Sequence, residues 1–550
     1  MKQIIKNSFW VLLLFCGNAC TNLDEHAYDV IIANEFYNNK DEILSAVLRP
    51  YTHANAWTTP SGQDGWWRLA ELSGDQLAWP TKGRHGEDNG KWKRLHYHTW
   101  TVDESGIANA WKLMYWGVGL CNDPIRKLDS LDLAKVGITE EEKTSYMAEL
   151  KLLRAFHYLK LLDLFGNVPI QTTVPDNLNA ELPETSSKEE VYKFIEDEIK
   201  DNIADVPVLS QEMKGRMTKA GGYAMLTELY LNSEAWIGTP RWDDCIAAAD
   251  QIIKGIGGAQ NGKMTLDSNV TDTYSNTNDI SSTEVIFSVA YDYKTANFPI
   301  GLEEFFHFKE KEIEGFGRNG NDGVVLIPGV YTTYKDNDMR KKSWFLIGQQ
   351  YKFADGTEVT GSEEYDGKPL VFVDYIRKAS KGGTASTMSE GEENSGVRFH
   401  KYKLGNSIAG IVNGKTVQPD VNYNNNDWDT YRLSWIYFAK AEALMRKNGG
   451  IATQEAVDLV NAVRKRAFPA KSWKANKYTT ATLTMDELLA ERGREFIFEG
   501  FRRDDLIRFG KLTTGTWWDH QPSQDFRKLF PIPQQQISLN PKLTQNPGYN

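Results

Sequence analysis

The segment "KTSYMAELKLLRAFHYLKLLDLFGNVPI" (143–170) constrains the fold more than any other part of the sequence. Thr139 and Glu142, just upstream, have the spacing of a capping box at a helix N-terminus. Gly166 has the position of a helix-terminating glycine, and Pro169 prevents the helix from resuming. Apolar residues recur at helical spacing, at Leu152, Ala155, Leu159 and Leu162. Because apolar residues cover most of the circumference, the pattern predicts a long helix packed on more than one side.

Other segments repeat this design. The segment "SKEEVYKFIEDEIKDNI" begins with a second capping box, Ser187 with Glu190, and "TMDELLAERGREFIFEG" begins with a third, Thr484 with Glu487. Helices are also predicted for "AGGYAMLTELYLNSEAW", "WDDCIAAADQIIKG", "YRLSWIYFAKAEALMRKNG" and "TQEAVDLVNAVRKRAF". The helix lengths and short connectors suit tetratricopeptide-like pairs, although the strict consensus of that repeat is absent. Stacked pairs of this kind bury a continuous core and form a curved scaffold.

The middle of the chain, residues 255–425, has a different composition. It is rich in Gly, Asn, Asp, Ser and Thr, with short β-type runs such as "EVIFSVAY" and "LVFVDYI". This pattern predicts long loops and small strand pairs mounted on the helical scaffold, where binding usually occurs. Within this part we expect "GGTASTMSEGEENSG" to be solvated and mobile.

The N-terminus has the three parts of a secretory signal. Lys2 and Lys6 give a basic start, residues 9–15 give an apolar run, and small residues precede Cys20. The apolar run is shorter than the roughly 20 residues that a transmembrane helix needs. Residues 1–19 are therefore predicted to be a lipoprotein signal peptide, since the placement of Cys20 resembles a bacterial lipobox in which this cysteine carries lipid. The alternative is an ordinary secreted protein in which the cysteine is incidental.

Charge and cysteine content exclude several classes of function. Removal of the signal takes two lysines and no acidic residue, so the formal net charge changes from −11 to −13. An acidic chain is a poor candidate for nucleic-acid binding, and it has no lysine-rich block for anionic lipid. Cys121 and Cys245 remain in predicted helices, without the spacing of a metal site. We expect them to be buried as small apolar residues, while a pairing between them stays open.

Five segments, in this order, resemble the SusD/RagB family of Bacteroidetes outer-membrane lipoproteins. They are "CTNLDE", "AELKLLRAFHYLKLLDLFGNVPI", "YRLSWIYFAKAEAL", "EFIFEGFRRDDLIRFGKL" and "LFPIPQQQISLNPKLTQNPGY". The resemblance implies a mainly α fold of tetratricopeptide-like helix pairs in a right-handed superhelical scaffold, with an irregular, loop-rich and small-strand ligand-binding part inserted. It places a SusD-like domain at 20–550, with an N-terminal part at about 20–235, the ligand-binding part at about 255–425 and a C-terminal part at about 426–550.

The same resemblance implies a function. The protein would be a lipid-anchored, surface-exposed protein of the outer membrane that captures glycans or other nutrients and delivers them to a SusC-like TonB-dependent transporter. It implies no catalysis and no cofactor. Two alternatives stay open from the residues, a surface glycoside hydrolase and a helical protein–protein scaffold. The sequence does not name the ligand, so starch, fructan, hemicellulose, host glycans and peptides all remain possible.

The aromatic content, with 17 Trp, 24 Tyr and 24 Phe, points to candidate contacts in "LAWPTKGRHGEDNGKWKRLHYHTW" (77–100). A flat apolar ring in a polar loop costs free energy unless something covers it. The segment resembles the family loop that runs from a Pro-Thr pair to a Gly-x-Trp, where many members carry a Trp as a sugar platform; Gly86 occupies that place here. Trp92 and Trp100 are expected to pack in the base of the loop. The predicted contacts are Trp79, Arg84, His85, Asp88 and Asn89. Among them, Trp79 or His85 is expected to replace the missing tryptophan platform.

Further candidate contacts lie downstream. In "VAYDYKTANFPIGLEEFFHFK" we predict ligand contact for Tyr291, Asn297 and Phe298. Further along the segment, core packing is predicted for Phe305, Phe306 and Phe308. Arg398 in "GVRFHKY" and Tyr423 in "VNYNNNDW" complete the set. The interleaved acids and arginines of "EGFRRDDLIRFG" are more typical of an ion-pair network than of catalysis. Aspartates in "DSNVTDTYSNTND" and "KDNDMR" have the chemistry of calcium ligands, although neither run matches an EF-hand loop.

Overall fold

The computed structural model describes residues 36–60, 64–83, 85–174, 181–291, 302–315, 319–402, 410–412, 415–417 and 426–549. Several sequence predictions lie outside the described residues. They are the signal peptide at 1–19, the lipid attachment at Cys20, and the candidate contacts Arg84, Asn297, Phe298 and Tyr423.

Helices dominate the described chain. Their bounds are α1 Lys40–Thr58, α2 Trp66–Leu72, α3 Lys91–His96, α4 Ser105–Asp129, α5 Leu133–Val136, α6 Glu140–Phe165, α7 Lys188–Asn202, α8 Lys219–Ile237, α9 Trp242–Ile253, α10 Asn278–Ser281, α11 Glu310–Glu314, α12 Met339–Ser343, α13 Leu433–Lys447, α14 Gln454–Arg464, α15 Ala470–Asn476, α16 Met485–Glu495, α17 Arg502–Arg508 and α18 Gln534–Leu539. Neighbouring helices pack against each other in the order α1, α4, α6, α7, α8, α9, α13 and α14. The predicted mainly α fold of stacked helix pairs is confirmed.

Helix α6 is the central element, as its apolar circumference predicts. Its side chains are buried without interruption from Leu152 to Phe165, with α4 on one side and α7 on the other. The predicted capping box forms between Thr139 and Glu142, and Gly166 ends the helix with φ of +67°. A left-handed φ of this kind favours glycine, which explains the residue at this position.

The other two capping boxes differ in outcome. Ser187 and Glu190 exchange both hydrogen bonds at the start of α7. At the start of α16, the Thr484 hydroxyl accepts from the Glu487 backbone N–H, but the Glu487 carboxylate turns away. It accepts instead from the Tyr478 hydroxyl at 2.6 Å and from Arg494 Nη2 at 2.6 Å. A charged partner competes successfully with a backbone N–H, so half of this predicted capping box is absent.

Short antiparallel strand pairs connect the helices. Their bounds are β1 Leu77–Ala78, β2 Val285–Val289, β3 Val325–Leu326, β4 Phe345–Leu346, β5 Gly348–Gln349, β6 Val371–Phe372, β7 Arg398–Phe399, β8 Gly410–Val412, β9 Lys415–Val417 and β10 Trp428–Arg432. The pairs are β1–β3, β2–β10, β4–β7, β5–β6 and β8–β9. In the longest pair, Trp428 lies opposite Val289 and Arg432 lies opposite Val285. The predicted small strands are confirmed, although the start of "YRLSWIYF" belongs to β10 rather than to a helix.

The segment 382–396 is solvated only in its first half, where Gly382, Thr384 and Ala385 are exposed, whereas residues 391–396 are buried, contrary to the expectation from composition. Met388, Glu392 and Glu393 are buried. The Glu392 carboxylate accepts a hydrogen bond from the Ser380 backbone N–H at 3.0 Å, and Glu393 accepts from the Ser362 backbone N–H at 2.8 Å. These bonds offset the cost of removing two carboxylates from water. Because the donors come from other parts of the chain, composition alone does not reveal the burial.

The cysteines and the arginine-rich segment behave as predicted. Cys121 in α4 and Cys245 in α9 are free and buried, and burial raises the pKa of both thiols. In α17, the Arg503 guanidinium lies 2.5 Å from Asp163, and Arg508 lies 2.9 Å from Glu442. The acids and arginines of this segment form buried ion pairs that join α17 to the helices around it.

Close contact between α4 and α6 gives a stability prediction. A Cβ added at Gly117 would lie 1.9 Å from Nε2 of the buried His157, so one of the two helices must move. We expect Gly117→Ala to lower the free energy of unfolding by about 2–3 kcal/mol, as overpacking does. Gly119 lies in the same helix with open space at its Cβ. Gly119→Ala is the matched control and should stabilise by up to about 1 kcal/mol. Urea unfolding followed by circular dichroism measures both, and equal effects would contradict the packing argument.

Candidate functional site

A cavity of about 660 Å³ brings together three of the predicted contact residues, Trp79, His85 and Asp88. It lies between the loop after β1 and two segments of the middle part, near 304–321 and 362–363. The remaining residues that line it are Arg68, Gly86, Lys91, Trp92, Glu304, Phe308, Gly320, Asn321, Ser362 and Glu363. Its volume falls within the range of sites that bind small molecules.

Two stacked tryptophans form one wall. Trp79 follows β1 and Trp92 belongs to α3, and their rings are parallel within 4° with centroids 4.3 Å apart. The Asp88 carboxylate accepts a hydrogen bond from the Trp92 indole at 2.5 Å, and Lys91 Nζ lies 4.2 Å from the Trp92 ring centre. Trp79 is only 7% exposed, so its ring supports the wall more than it faces the cavity. Burial of Trp92 and Trp100 confirms the prediction that they pack in the base of the loop.

The wall explains why Gly86 replaces the tryptophan that the family resemblance leads one to expect. Gly86 has φ of +74°, and a Cβ there would lie 2.5 Å from the Pro80 carbonyl oxygen and 3.0 Å from Cδ1 of Trp79. Backbone conformation and contact both exclude a larger side chain while Trp79 keeps its place. In this chain the aromatic surface therefore has to come from other residues.

His85 and Phe308 supply aromatic surface that is only partly buried. Their ring centroids lie 5.6 Å apart with the planes tilted by 31°. His85 Nε2 is 3.2 Å from Oε1 of Glu363, which connects the ring to the opposite side of the cavity. Of the two predicted substitute platforms, His85 therefore presents its ring to the cavity, whereas Trp79 lies mostly behind it.

A buried lysine holds this loop in position. The Lys82 backbone N–H donates to the His85 carbonyl oxygen at 2.9 Å, and the His85 N–H donates back at 2.8 Å. The Lys82 side chain is buried and its Nζ donates to the Gly323 carbonyl oxygen at 2.6 Å. Burial lowers the pKa of Lys82 to about 7, although the nearby Asp322 acts in the opposite direction. These bonds fix His85 relative to the segment that carries Phe308.

Polar groups complete the cavity. Arg68 Nη2 lies 3.3 Å from Glu304, whose carboxylate also accepts from Asn321 Nδ2 at 3.3 Å. Together with Asp88 and Glu363, these side chains offer both donors and acceptors around the aromatic rings. A ligand with apolar ring faces and several hydroxyl groups would find partners for both kinds of surface.

Two predicted contacts do not fit the structure. Arg398 in β7 is buried, its Nη1 lies 2.5 Å from Asp322 Oδ1, and its Nη2 donates to the Glu393 carbonyl oxygen at 2.6 Å. Tyr291 is buried as well, and its hydroxyl donates to Asn55 Oδ1 at 2.6 Å. Both side chains hold the framework together, so the prediction that they contact ligand is corrected to a structural role.

Asn89 lies next to the cavity without lining it, so its predicted ligand contact stays a prediction. It is exposed with φ of +53°, and its carbonyl oxygen accepts from Arg94 Nη1 at 2.7 Å. It does not belong to the residues that line the cavity. Asparagine tolerates the left-handed conformation that the turn before α3 requires, which accounts for the residue.

The sequence interpretation missed several residues of the cavity. Phe305 and Phe306 are buried, as predicted, but Phe308 is only half-buried and lines the cavity. Arg68 and Glu304 were missed as well, since they lie far apart in the chain. No local pattern separates Phe308 from its two neighbours, because only the approach of the His85 loop makes it part of a site.

The aspartates that have the chemistry of calcium ligands are engaged with other groups. Asp267 accepts from the hydroxyls of Thr273 and Ser282 at 2.9 and 2.6 Å. Asp338 lies 2.7 Å from Arg340. Across the part of the chain that the structure describes, there is no group of three or more His, Cys, Asp or Glu side chains with the arrangement of a metal site.

Comparison with known proteins places the chain in a family. The family model described as "SusD family" matches residues 258–549, and the model described as "Starch-binding associating with outer membrane" matches residues 41–231. The chain belongs to the SusD family. The resemblance inferred from the five sequence segments is thereby confirmed.

Curated relatives and solved structures agree with membership of the SusD family. The starch-binding protein SusD of Bacteroides thetaiotaomicron is 27% identical, over 75% of this chain and 74% of its own length. A SusD-like protein of Bacteroides ovatus is 22% identical, over 95% of this chain and 85% of its own. A laminarin-binding SusD-like protein superposes with a TM-score of 0.69 at 20% identity, over 93% of this chain and all of that one. Surface glycan-binding protein A of Bacteroides thetaiotaomicron, in complex with laminarihexaose, gives 0.66 at 21% identity, over 92% and 99%.

Proposed function

We propose that this protein binds a polysaccharide or oligosaccharide at the bacterial surface, and that the ligand occupies the cavity between His85, Phe308 and the tryptophan wall. The observation that carries the proposal is the combination of partly exposed aromatic rings with charged and amide groups in one cavity of about 660 Å³. The starch-binding relative and the laminarin-binding structural neighbour support a carbohydrate as the ligand.

The chemistry of sugars fits this cavity. A pyranose ring presents C–H groups on its faces, which pack on aromatic rings, and hydroxyl groups at its edge, which need hydrogen-bond partners. Phe308 and His85 supply the first kind of surface, while Asp88, Glu304 and Asn321 supply the second. A site of this kind orients a glycan through shape complementarity and a few polar contacts, and it can release the ligand readily.

Location and partner belong to the same proposal. Lipid attached at Cys20 would anchor the protein to the outer membrane, with the binding cavity exposed at the cell surface. Bound glycan would then pass to a SusC-like TonB-dependent transporter. Support comes from the family description "associating with outer membrane" and from the signal at 1–19. Among the described residues, no helix has both the length and the apolar character needed to cross a bilayer.

The cavity favours binding over hydrolysis. A glycoside hydrolase needs two carboxyl groups on either side of the scissile bond, roughly 5 to 9.5 Å apart, one of them free to give up a proton. Here Asp88 is bonded to the Trp92 indole, Glu304 lies against Arg68, and Glu363 lies against His85. Each acid is therefore already engaged in holding the walls of the cavity.

Affinity electrophoresis of the full mature chain tests this function. Gels would contain soluble starch, laminarin, fructan, hemicellulose or host glycans, and a gel without polysaccharide is the control. We expect at least one polysaccharide to retard the protein and no new reducing ends to appear after incubation. New reducing ends would instead establish a hydrolase. Failure to bind any polysaccharide, with only protein partners recovered, would favour the helical scaffold.

A further inference from the structure

A small sheet next to the cavity exposes an unusual set of side chains. Strands β5 and β6 pair with Gly348 opposite Phe372, and residues 356–361 add a third segment through a bridge between Tyr351 and Glu358 and a bridge between Thr360 and Pro369. Alternation along a strand then places one set of side chains outward. We use the name outer sheet face for these residues together with Phe353, which belongs to the turn after Tyr351 and is strongly exposed: Gln349, Tyr351, Phe353, Glu358, Thr360, Pro369 and Val371.

Burial follows this alternation. The inward residues Val359, Leu370 and Phe372 are fully buried and pack with Ile313 of α11. On the outer sheet face, Tyr351 is 53% exposed, Phe353 is 66% exposed and Val371 is 36% exposed. The sheet therefore has an apolar inner face and a second, partly aromatic face in contact with water.

The clustering of these side chains needs an explanation. The described residues include ten large apolar side chains that are strongly exposed, and three of the ten lie on the outer sheet face. Single exposed apolar residues are normal on protein surfaces, whereas a group on one face marks an interaction site. Two of the three are aromatic: Tyr351 is bridged to Glu358, and Phe353 lies two residues further on, in the turn that leads to the third strand segment.

The third strand segment leads directly from the outer sheet face to the cavity. Ser362 and Glu363, which line the cavity, follow directly after Gly361 at the end of the third strand segment. Glu363 is five positions after Glu358, and an extended chain spans that separation in at most about 18 Å. Tyr351 lies opposite Glu358, about 5 Å away across the sheet. The Cα atom of Tyr351 is therefore at most roughly 23 Å from that of Glu363 at the cavity edge.

We propose that the outer sheet face is a second contact surface for the same polysaccharide that occupies the cavity. The proposal rests on the proposed function, because the cavity has to hold one part of the polysaccharide while Tyr351 and Phe353 contact a part of the same polysaccharide further along. The aromatic rings pack on sugar faces, and polar side chains of the same face, the Thr360 hydroxyl and the amide oxygen of Gln349, bond to sugar hydroxyl groups.

The size of the face argues for a polysaccharide rather than a protein partner. A stable protein interface buries about 800 Å² on each side and contains a continuous apolar centre. Three exposed side chains separated by polar residues do not provide such an area. A glycan chain needs only separate aromatic contacts along its length, which the outer sheet face provides.

This second surface predicts a dependence on chain length. Once the cavity holds one end, contact with the outer sheet face is intramolecular and raises the apparent affinity without any change in the cavity. A long polysaccharide gains this contribution, while a trisaccharide that fills only the cavity does not. The two surfaces can therefore be separated by comparing polymers with short fragments.

The experiment compares the wild type with the double variant Tyr351→Ser/Phe353→Ser. Isothermal titration would use soluble starch and laminarin as polymers, and maltotriose and laminaritriose as fragments. Ile451→Ser is the matched control, since Ile451 is 66% exposed in the connection between α13 and α14. We expect the double variant to bind polymer at least about fivefold more weakly and to bind the trisaccharide within about twofold of the wild type. The control should match the wild type with both.

Other outcomes overturn the inference in distinguishable ways. Unchanged polymer affinity in the double variant rejects the outer sheet face and leaves the cavity intact. An equal loss for polymer and trisaccharide means that the substitutions damage the cavity, and the second contact is again rejected. If the wild type binds neither polymer, the same titration uses the polysaccharide that retards it in the affinity gels. If none of those polysaccharides binds, the proposed function fails, and if polymer affinity survives removal of the cavity rings His85 and Phe308, the proposed cavity fails; the inference fails in either case.

Discussion

Replacing Arg340 with methionine is expected to lower the free energy of unfolding by about 3–5 kcal/mol. The Arg340 guanidinium is completely buried. It lies 2.7 Å from Asp338, 2.9 Å from Glu491 and 2.9 Å from Glu495. Methionine fills a similar volume but supplies no charge, so three buried carboxylates lose a shared cation. Glu491 and Glu495 keep other arginine partners, so the penalty comes mainly from leaving the buried Asp338 carboxylate without this cation, and it exceeds the modest net value of an intact ion pair.

A surface ion pair provides the matched control. Arg126 lies 2.9 Å from Asp123 with side-chain exposures of 48% and 46%. Arg126→Met should change the free energy of unfolding by no more than about 0.5 kcal/mol, because water already screens that pair. Urea unfolding at neutral pH, followed by circular dichroism, measures both variants. Similar small effects would show that the buried network around Arg340 does not stabilise the fold.

The effect of Arg340→Met should also depend on pH. Burial alone would raise the pKa of Glu495, but Arg466, Arg432 and Arg340 together lower it to about 2. A carboxyl with a lowered pKa stabilises the folded state above its ordinary value near 4.5, and that stability is lost as the pH falls toward 2. Loss of Arg340 weakens this stabilisation. The difference between wild type and variant should therefore be largest above pH 5 and shrink as the pH approaches about 3.

The double variant His85→Ala/Phe308→Ala is expected to weaken polysaccharide binding at least about 100-fold, or about 2.7 kcal/mol. The two partly exposed rings lie 5.6 Å apart and provide the aromatic surface that faces the cavity. Each ring contributes contact area and stacking, and His85 also positions Glu363 from 3.2 Å. Both rings are partly exposed, so their removal should disturb the fold much less than removal of Trp79 would.

Calorimetric titration with the polysaccharide that the wild type binds measures this loss. Trp116→Ala is the control, since Trp116 lies on α4 with an exposed ring outside the cavity. It should retain the affinity of the wild type. Melting temperatures of both variants show whether the fold is kept. Retained affinity in the double variant would mean that the glycan binds elsewhere.

Sequence patterns predicted the helical part of this fold well, because the signals are local. The apolar circumference of 143–165, the capping pairs at Thr139 and Ser187, and the terminating Gly166 each involve residues within one turn of each other. The run "EVIFSVAY" likewise predicted β2. Such signals depend on backbone geometry and nearby side chains, so they hold before the tertiary structure is known.

The site was predicted only in part, because its residues acquire their roles from distant partners. Trp79, His85 and Asp88 lie in one loop and were found together. Arg398 has the same chemistry as a ligand contact, and only its pairing with Asp322 shows that it is structural. Phe308 was assigned to the core, since the sequence does not show that the loop around His85 leaves its ring half-buried. Residues 391–396 are polar in composition, but they are buried, and backbone donors elsewhere in the chain bond to Glu392 and Glu393.

A crystal structure of the protein with a bound oligosaccharide tests the central claim most directly. We expect sugar density in the cavity, with a pyranose ring packed against Phe308 and His85. The sugar hydroxyl groups should lie within hydrogen-bond distance of Asp88, Glu304 or Asn321. An oligosaccharide bound at another surface, with the cavity holding only water, would contradict it.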